Sequence, residues 1–147
     1  MDKERVEDLE HYIAVPMPYP VRQFDCWWEG VIETPDAVFA FLGTPASSEW
    51  LRVKFEYPLS YRVTKELPAA FTRASGEHSR GMTTEGLVYE VVAGSFKREV
   101  GISDVTEAMW PKAKHYILIT GDSELEVISE FLPEFEMVLP GQRPDLT

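Results

Sequence analysis

From Trp50 to Tyr57 the sequence alternates without a break. Leu51, Val53, Phe55 and Tyr57 fall on one side, and Trp50, Arg52, Lys54 and Glu56 on the other. Successive side chains of a strand point to opposite faces, so a period of two specifies a strand with one buried and one wet face. Pro58 interrupts the pattern. Leu59, Tyr61 and Val63 then carry it on against Ser60, Arg62 and Thr64. Burial on one face only is the habit of antiparallel sheets.

Other segments read as strands on weaker signals. Phe24 to Ile32 is rich in aromatic and branched residues, with Gly30 marking a bulge. Leu87 to Ala93 is a strand, and Phe96 to Ile102 a further candidate. His115 to Thr120 and Glu124 to Ser129 form a hairpin around the short turn Gly121-Asp122-Ser123. Phe135 to Leu139 adds an edge strand.

Three segments read as helical. In residues 2–13, Val6, Leu9 and Ile13 repeat at spacings of three and four, giving one apolar stripe. Thr34-Pro35-Asp36 has the chemistry of a helix start, with Thr34 as N-cap and Gly43 as terminator. The same residues also fit a tight turn into a strand from Ala37 to Leu42. Asp104 to Met109 reads as one or two helical turns, capped by Asp104 and stopped by Pro111. Between the first helix and the first strand, Pro16-Met17-Pro18-Tyr19-Pro20 forms an extended connector, because proline fixes φ and pushes its predecessor toward extended geometry. Residues 67–86, with three glycines and many small polar residues, read as a long loop. The expected architecture is α+β: an antiparallel sheet or half-barrel of about six strands, with two or three short helices at one side. All 147 residues fit one domain, with a loose tail over 140–147.

Charge narrows the function classes. Fourteen Lys and Arg against 25 Asp and Glu leave a formal net charge of −11. Nucleic-acid surfaces need clustered cations that release counterions, and anionic membranes attract the same clusters. Neither partner is expected here, whereas a basic protein surface would be drawn in. The prolines break the one uncharged run near the start, and no signal peptide pattern is present, so the expected compartment is the cytoplasm. Cys26 is the only cysteine, which excludes an internal disulfide. Flanked by Asp25 and Glu29, it reads as a buried, unactivated thiol.

Catalytic motifs are missing. There is no glycine-rich phosphate loop, and His11, His78 and His115 are too widely spaced to form a local metal site, so neither cofactor nor metal is expected. The run Ile117 to Ser123 is similar to the apolar strand and Gly-Asp-Ser block of GDSL-type esterases. No histidine follows Ser123 to serve as its base, so it reads as a turn. The pairs Glu124 with Glu126 and Glu134 with Glu136 read as solvated charge on exposed strand faces. The remaining informative residues are aromatic. Trp27 and Trp28 are adjacent and point to opposite faces, so one of them lines a groove or interface, or else both faces of the strand are covered. Trp50 lies opposite the apolar face of its own strand.

Three pieces carry a resemblance: Trp50-Leu51-Arg52-Val53-Lys54-Phe55, then Tyr61-Arg62-Val63-Thr64-Lys65-Glu66, then Lys114-His115-Tyr116-Ile117 with Glu126-Val127-Ile128. Their order is similar to that in small bacterial proteins of unassigned function, some of them of the immunity type that neutralises a toxin. The resemblance implies a binding role and brings no catalytic residues.

The leading expectation is therefore a non-enzymatic, cytoplasmic protein-binding module, with Trp27, Trp28 and Trp50 as contact candidates and a basic partner. The rival is a small-molecule-binding protein or an enzyme with a site near the 67–86 loop, with Arg62, Glu66, His78, Arg80 and Tyr116 as its candidates.

Overall fold

The computed structural model describes residues 10–22, 25–45, 48–64, 79–80, 86–92, 108–121 and 123–140. These residues form two sheets. The strands are β1 (Glu10–Ala14), β2 (Trp27–Glu33), β3 (Ala37–Gly43), β4 (Trp50–Glu56), β5 (Ser60–Thr64), β6 (Ser79–Arg80), β7 (Val88–Val92), β8 (Lys114–Ile119), β9 (Glu124–Ser129) and β10 (Glu134–Val138). One sheet runs β5-β9-β8-β7-β1-β6 and the other β10-β4-β3-β2. All pairings are antiparallel except β1 with β6.

The sheets face each other across one apolar layer. Val38, Ala40 and Leu42 of β3 and Leu51, Val53 and Phe55 of β4 meet Val88, Tyr116, Leu118, Leu125 and Val127 of the larger sheet. Every one of these is buried, and burial of each large side chain contributes about 1.5–3 kcal/mol. The alternation seen in Trp50–Glu56 is the alternation of β4 between this layer and the outer face. Tyr61 of β5 donates a 2.7 Å hydrogen bond to Glu33 at the end of β2, tying one sheet to the other.

The α+β expectation is overturned. Among the described residues only Ala108 and Met109 are helical, and strands account for the rest of the regular structure. The segment expected as a helix after Thr34 is β3. Pro35 and Asp36 form a two-residue hairpin turn, closed by the Thr34 N–H donating to the Ala37 carbonyl at 2.9 Å. β3 pairs with strands on both sides, and both of its faces are covered. Apolar residues therefore occupy both faces, and the period of two that would have announced a strand is erased. Covering the outer face are Arg52 and Lys54, whose charged heads lie 5.3 and 5.9 Å from the Phe39 ring centre, and Trp50, edge-on to Phe41 at 6.2 Å. Long cationic side chains can lay their stems over apolar surface in this way.

The apolar stripe expected over 2–13 fails at its end. Glu10–Ala14 is a strand, Tyr12 is buried, and Ile13, which the stripe would bury, is exposed. Residues 2–9 lie outside the described residues. So do Phe96 to Ile102, Asp104 to Glu107, the 67–86 loop apart from β6 and Gly86, and all but Pro140 of the 140–147 tail.

The connector is extended as expected. Val15, Met17, Tyr19 and Val21 pack against the inter-sheet layer, while Pro16, Pro18, Pro20 and Arg22 stay outside. Gly30 marks a bulge, with the β2–β3 register slipping between Trp28 and Gly30. Cys26 is buried in the same layer. No helix among the described residues is long and apolar enough to cross a membrane.

Candidate functional site

The bulge in β2 decides which tryptophan faces out. Trp28 pairs with Leu42 and turns into the inter-sheet layer, whereas Trp27 pairs with Gly43 on the outer face. Gly43 is in turn paired with Trp50 and Trp50 with Val138, so one row crosses the smaller sheet as Trp27, Gly43, Trp50, Val138. A Cβ on Gly43 would run into the Trp27 indole, so the indole lies in the space that only glycine leaves. Trp27 is 47% exposed there. Below this row, Arg52 pairs with Glu136, and Lys54 lies 3.5 Å from Glu56 and 3.9 Å from Glu134. The hydrogen bond between Glu56 and Glu134 holds the Glu56 carboxyl below, and the Glu134 carboxyl above, the ordinary glutamate value.

At the other end of β4, a second aromatic pair stands in water. Tyr57, in the β4–β5 turn, and Phe131, in the β9–β10 turn, have ring centres 5.8 Å apart. They are 55% and 46% exposed, and the neighbouring Leu132 is 66% exposed. The Ser129 hydroxyl binds both turns, donating to the Glu56 carbonyl at 2.6 Å and accepting from the Phe131 N–H at 3.1 Å.

The third feature is polar and buried, on the outer face of the larger sheet. Glu126 accepts from Arg62 Nε with one carboxylate oxygen and from His115 Nε2, 3.0 Å away, with the other. A carboxylate only accepts, so Nε2 carries the imidazole proton. Both Glu126 and His115 are almost wholly buried, as is Glu124 two residues along the same face. This corrects the reading of Glu124 and Glu126 as solvated charge. A carboxylate survives burial when charge-assisted hydrogen bonds replace its water, as Arg62 and His115 do at Glu126. Glu134 and Glu136 are exposed, as expected. Finally, a groove of about 490 Å³ runs along the connector, lined by Val15, Met17, Tyr19, Val21, Arg22 and Leu87 among others.

No family model matches this chain, and searches of curated proteins and of solved structures found no match.

Of the three tryptophans singled out as contacts, the structure brings Trp27 and Trp50 into one outer row and commits Trp28 to the inter-sheet layer. The small-molecule candidates do not converge. Arg62 and Tyr116 project to opposite faces of the larger sheet, since Arg62 pairs with Glu126 while Tyr116 pairs with Val127 and sits in the inter-sheet layer. Burial, and secondarily the charge of Glu90, pushes the Tyr116 phenol above its ordinary value. Arg80 lies on β6, in register with His11. Glu66 and His78 lie outside the described residues. Among the described residues no group of three His, Cys, Asp or Glu is placed to hold a metal ion.

Sequence reasoning passed over Phe131 and Leu132, and it placed Tyr57 on the buried face with Leu51, Val53 and Phe55, whereas β4 ends at Glu56 and Tyr57 turns out into solvent. The signal was present: each sits within two residues of a proline, in a turn between alternating strands, where apolar side chains have no core to enter. Thr120 and Ser123 close the β8–β9 turn, with the Ser123 N–H donating to the Thr120 hydroxyl at 3.1 Å, consistent with a hairpin turn at the Gly-Asp-Ser block.

Proposed function

We propose that this chain is a non-enzymatic cytoplasmic module that docks onto a protein partner with a basic surface. Its sharpest form is an immunity-like inhibitor of a basic toxin. The observation that carries this reading is Trp27, held 47% exposed beside Trp50 on a fixed sheet row, in a chain of net charge −11. Tryptophan is enriched at interface centres because it supplies large contact area at low entropic cost. The acidic excess steers a basic partner toward the surface at low salt.

The test uses the whole chain as bait in native lysate at low salt. A stable partner of basic character, released by high salt and weakened by Trp27→Ala, is the expected result. Recovery of no stable protein under these conditions removes the reading.

One observation favours a second reading, a small-molecule site: the buried chain from Arg62 through Glu126 to His115. Thermal-shift screening against a metabolite panel tests it. A ligand whose stabilising shift disappears in Arg62→Ala supports the site by mass action; a ligand whose shift survives that substitution binds elsewhere and counts against it.

A further inference from the structure

Tyr57, Phe131 and Leu132 are large apolar side chains that the fold holds in water. Much of the surrounding framework serves to keep them there. Tyr57 has a φ of 42°, in the left-handed region that disfavours any residue with a Cβ. Its N–H donates to the Asp36 carbonyl at 2.7 Å, and the Leu59 N–H donates to the Ile128 carbonyl at 2.8 Å, so the turn is pinned on both sides. Ser129 fastens it to the β9–β10 turn, and Pro58 and Pro133 stiffen the two turns. Acidic residues flank the two turns: Asp36 and Glu134 are exposed, and Glu56 and Glu130 half-exposed; Lys114, in register with Ser129, is engaged by Glu90. Lys54 is engaged by Glu56 and Glu134.

An apolar centre inside a charged rim is the anatomy of a protein interface. We infer that these two turns form a docking knob that inserts Tyr57, Phe131 and Leu132 into an apolar cleft rimmed by Lys and Arg on a partner protein. The inference rests on the docking reading above and adds to it a second contact surface, at the opposite end of β4 from the Trp27 row. The charge decides the occupant. Anionic membranes and nucleic acids are repelled by the acidic rim. In a two-fold contact between copies of this chain, the rim would face itself.

The test pans the immobilised whole chain with disulfide-constrained random peptides displayed on phage at low salt, and measures the selected peptide by calorimetry. The expected peptides flank aliphatic or aromatic residues with Lys and Arg. Their affinity falls at least tenfold in Phe131→Ser, in Leu132→Ser and in Tyr57→Gly, and is unchanged in Trp27→Ala. Glycine suits the backbone at position 57, so loss of binding in that variant reports the missing ring rather than a broken turn. Peptides that lose affinity in Trp27→Ala and keep it in the knob variants overturn the knob and leave the docking reading standing. Failure to enrich any peptide counts against both. A concentration-dependent dimer abolished by Phe131→Ser overturns the partner assignment in favour of self-association.

Discussion

The indole of Trp27 fills the space left by Gly43, its register partner on the neighbouring strand. The absence of a Cβ at position 43 therefore sets the pose of the ring. Gly43→Ala is expected to displace the indole and destabilise the fold by about 1 kcal/mol, the low end for overpacking, because the ring can move into solvent. In a Trp27→Ala background the same substitution should cost less, since the clash is gone. Urea denaturation of the four members of the cycle measures the coupling.

Glu126 should matter more to stability than either of its partners. Glu126→Ala removes the buried carboxylate that bridges Arg62 Nε and His115 Nε2. The expected cost is about 3 kcal/mol, the lower end for breaking a buried pair. Arg62 is 39% exposed in its side chain, so water replaces part of what Arg62→Ala removes elsewhere, and that variant should be the milder one. Equilibrium unfolding of both variants in parallel decides the order.

At Tyr57 the backbone itself supplies a prediction. Tyr57→Gly and Tyr57→Ala both remove the ring, but only glycine adopts a φ of 42° without penalty. The glycine variant should be more stable than the alanine variant by about 1 kcal/mol. Equal stabilities would mean that the turn relaxes out of the left-handed region.

The Glu56–Glu134 pair gives opposite slopes on its two sides. Glu134 holds its proton to higher pH in the folded chain than in the unfolded one, so its contribution is complete below the unfolded value and is lost as pH rises through the folded value. Glu56 is displaced downward, so its contribution is present above the unfolded value and is lost as pH falls through the folded value. The pair supports the fold best between the two displaced titrations. Glu134→Gln keeps a hydrogen-bond donor and carries no charge, and should remove the loss on the alkaline side of that window. Melting temperature against pH, for wild type and variant, tests the sign.

Tyr61 offers a spectroscopic counterpart. Its hydrogen bond to Glu33, helped by partial burial and the carboxylate charge, raises the phenol above the ordinary tyrosine value. Glu33→Gln should bring one tyrosine of the ultraviolet titration back toward that value, leaving the raised Tyr116 in place.

How much was legible beforehand follows from what each strand faces. β4 announced itself because one face meets the other sheet and the other carries Trp50, Arg52, Lys54 and Glu56. The connector was legible because its prolines fall on every second residue and turn outward. β3 was hidden because burial of both faces removes the alternation, and Thr34-Pro35-Asp36 serves a hairpin as well as a helix. Glu124 and Glu126 were misread because a buried carboxylate has the same sequence pattern as a solvated one. What distinguishes it is Arg62, 64 positions away in the chain, and no local window contains both. Trp27 could not be separated from Trp28 until the bulge fixed the phase of β2.

That bulge has a consequence for how molecules of this chain coexist. β2 is an edge of the smaller sheet among the described strands, and a regular edge strand is a template on which another chain can extend the sheet. The slip between Trp28 and Gly30 breaks the regular spacing of backbone donors and acceptors midway along that edge, and Glu29, at the slip, sets a negative charge there. The same irregularity that turns Trp27 outward thus guards the edge against aggregation, letting an exposed tryptophan be displayed without inviting fibril-like stacking of neighbouring copies.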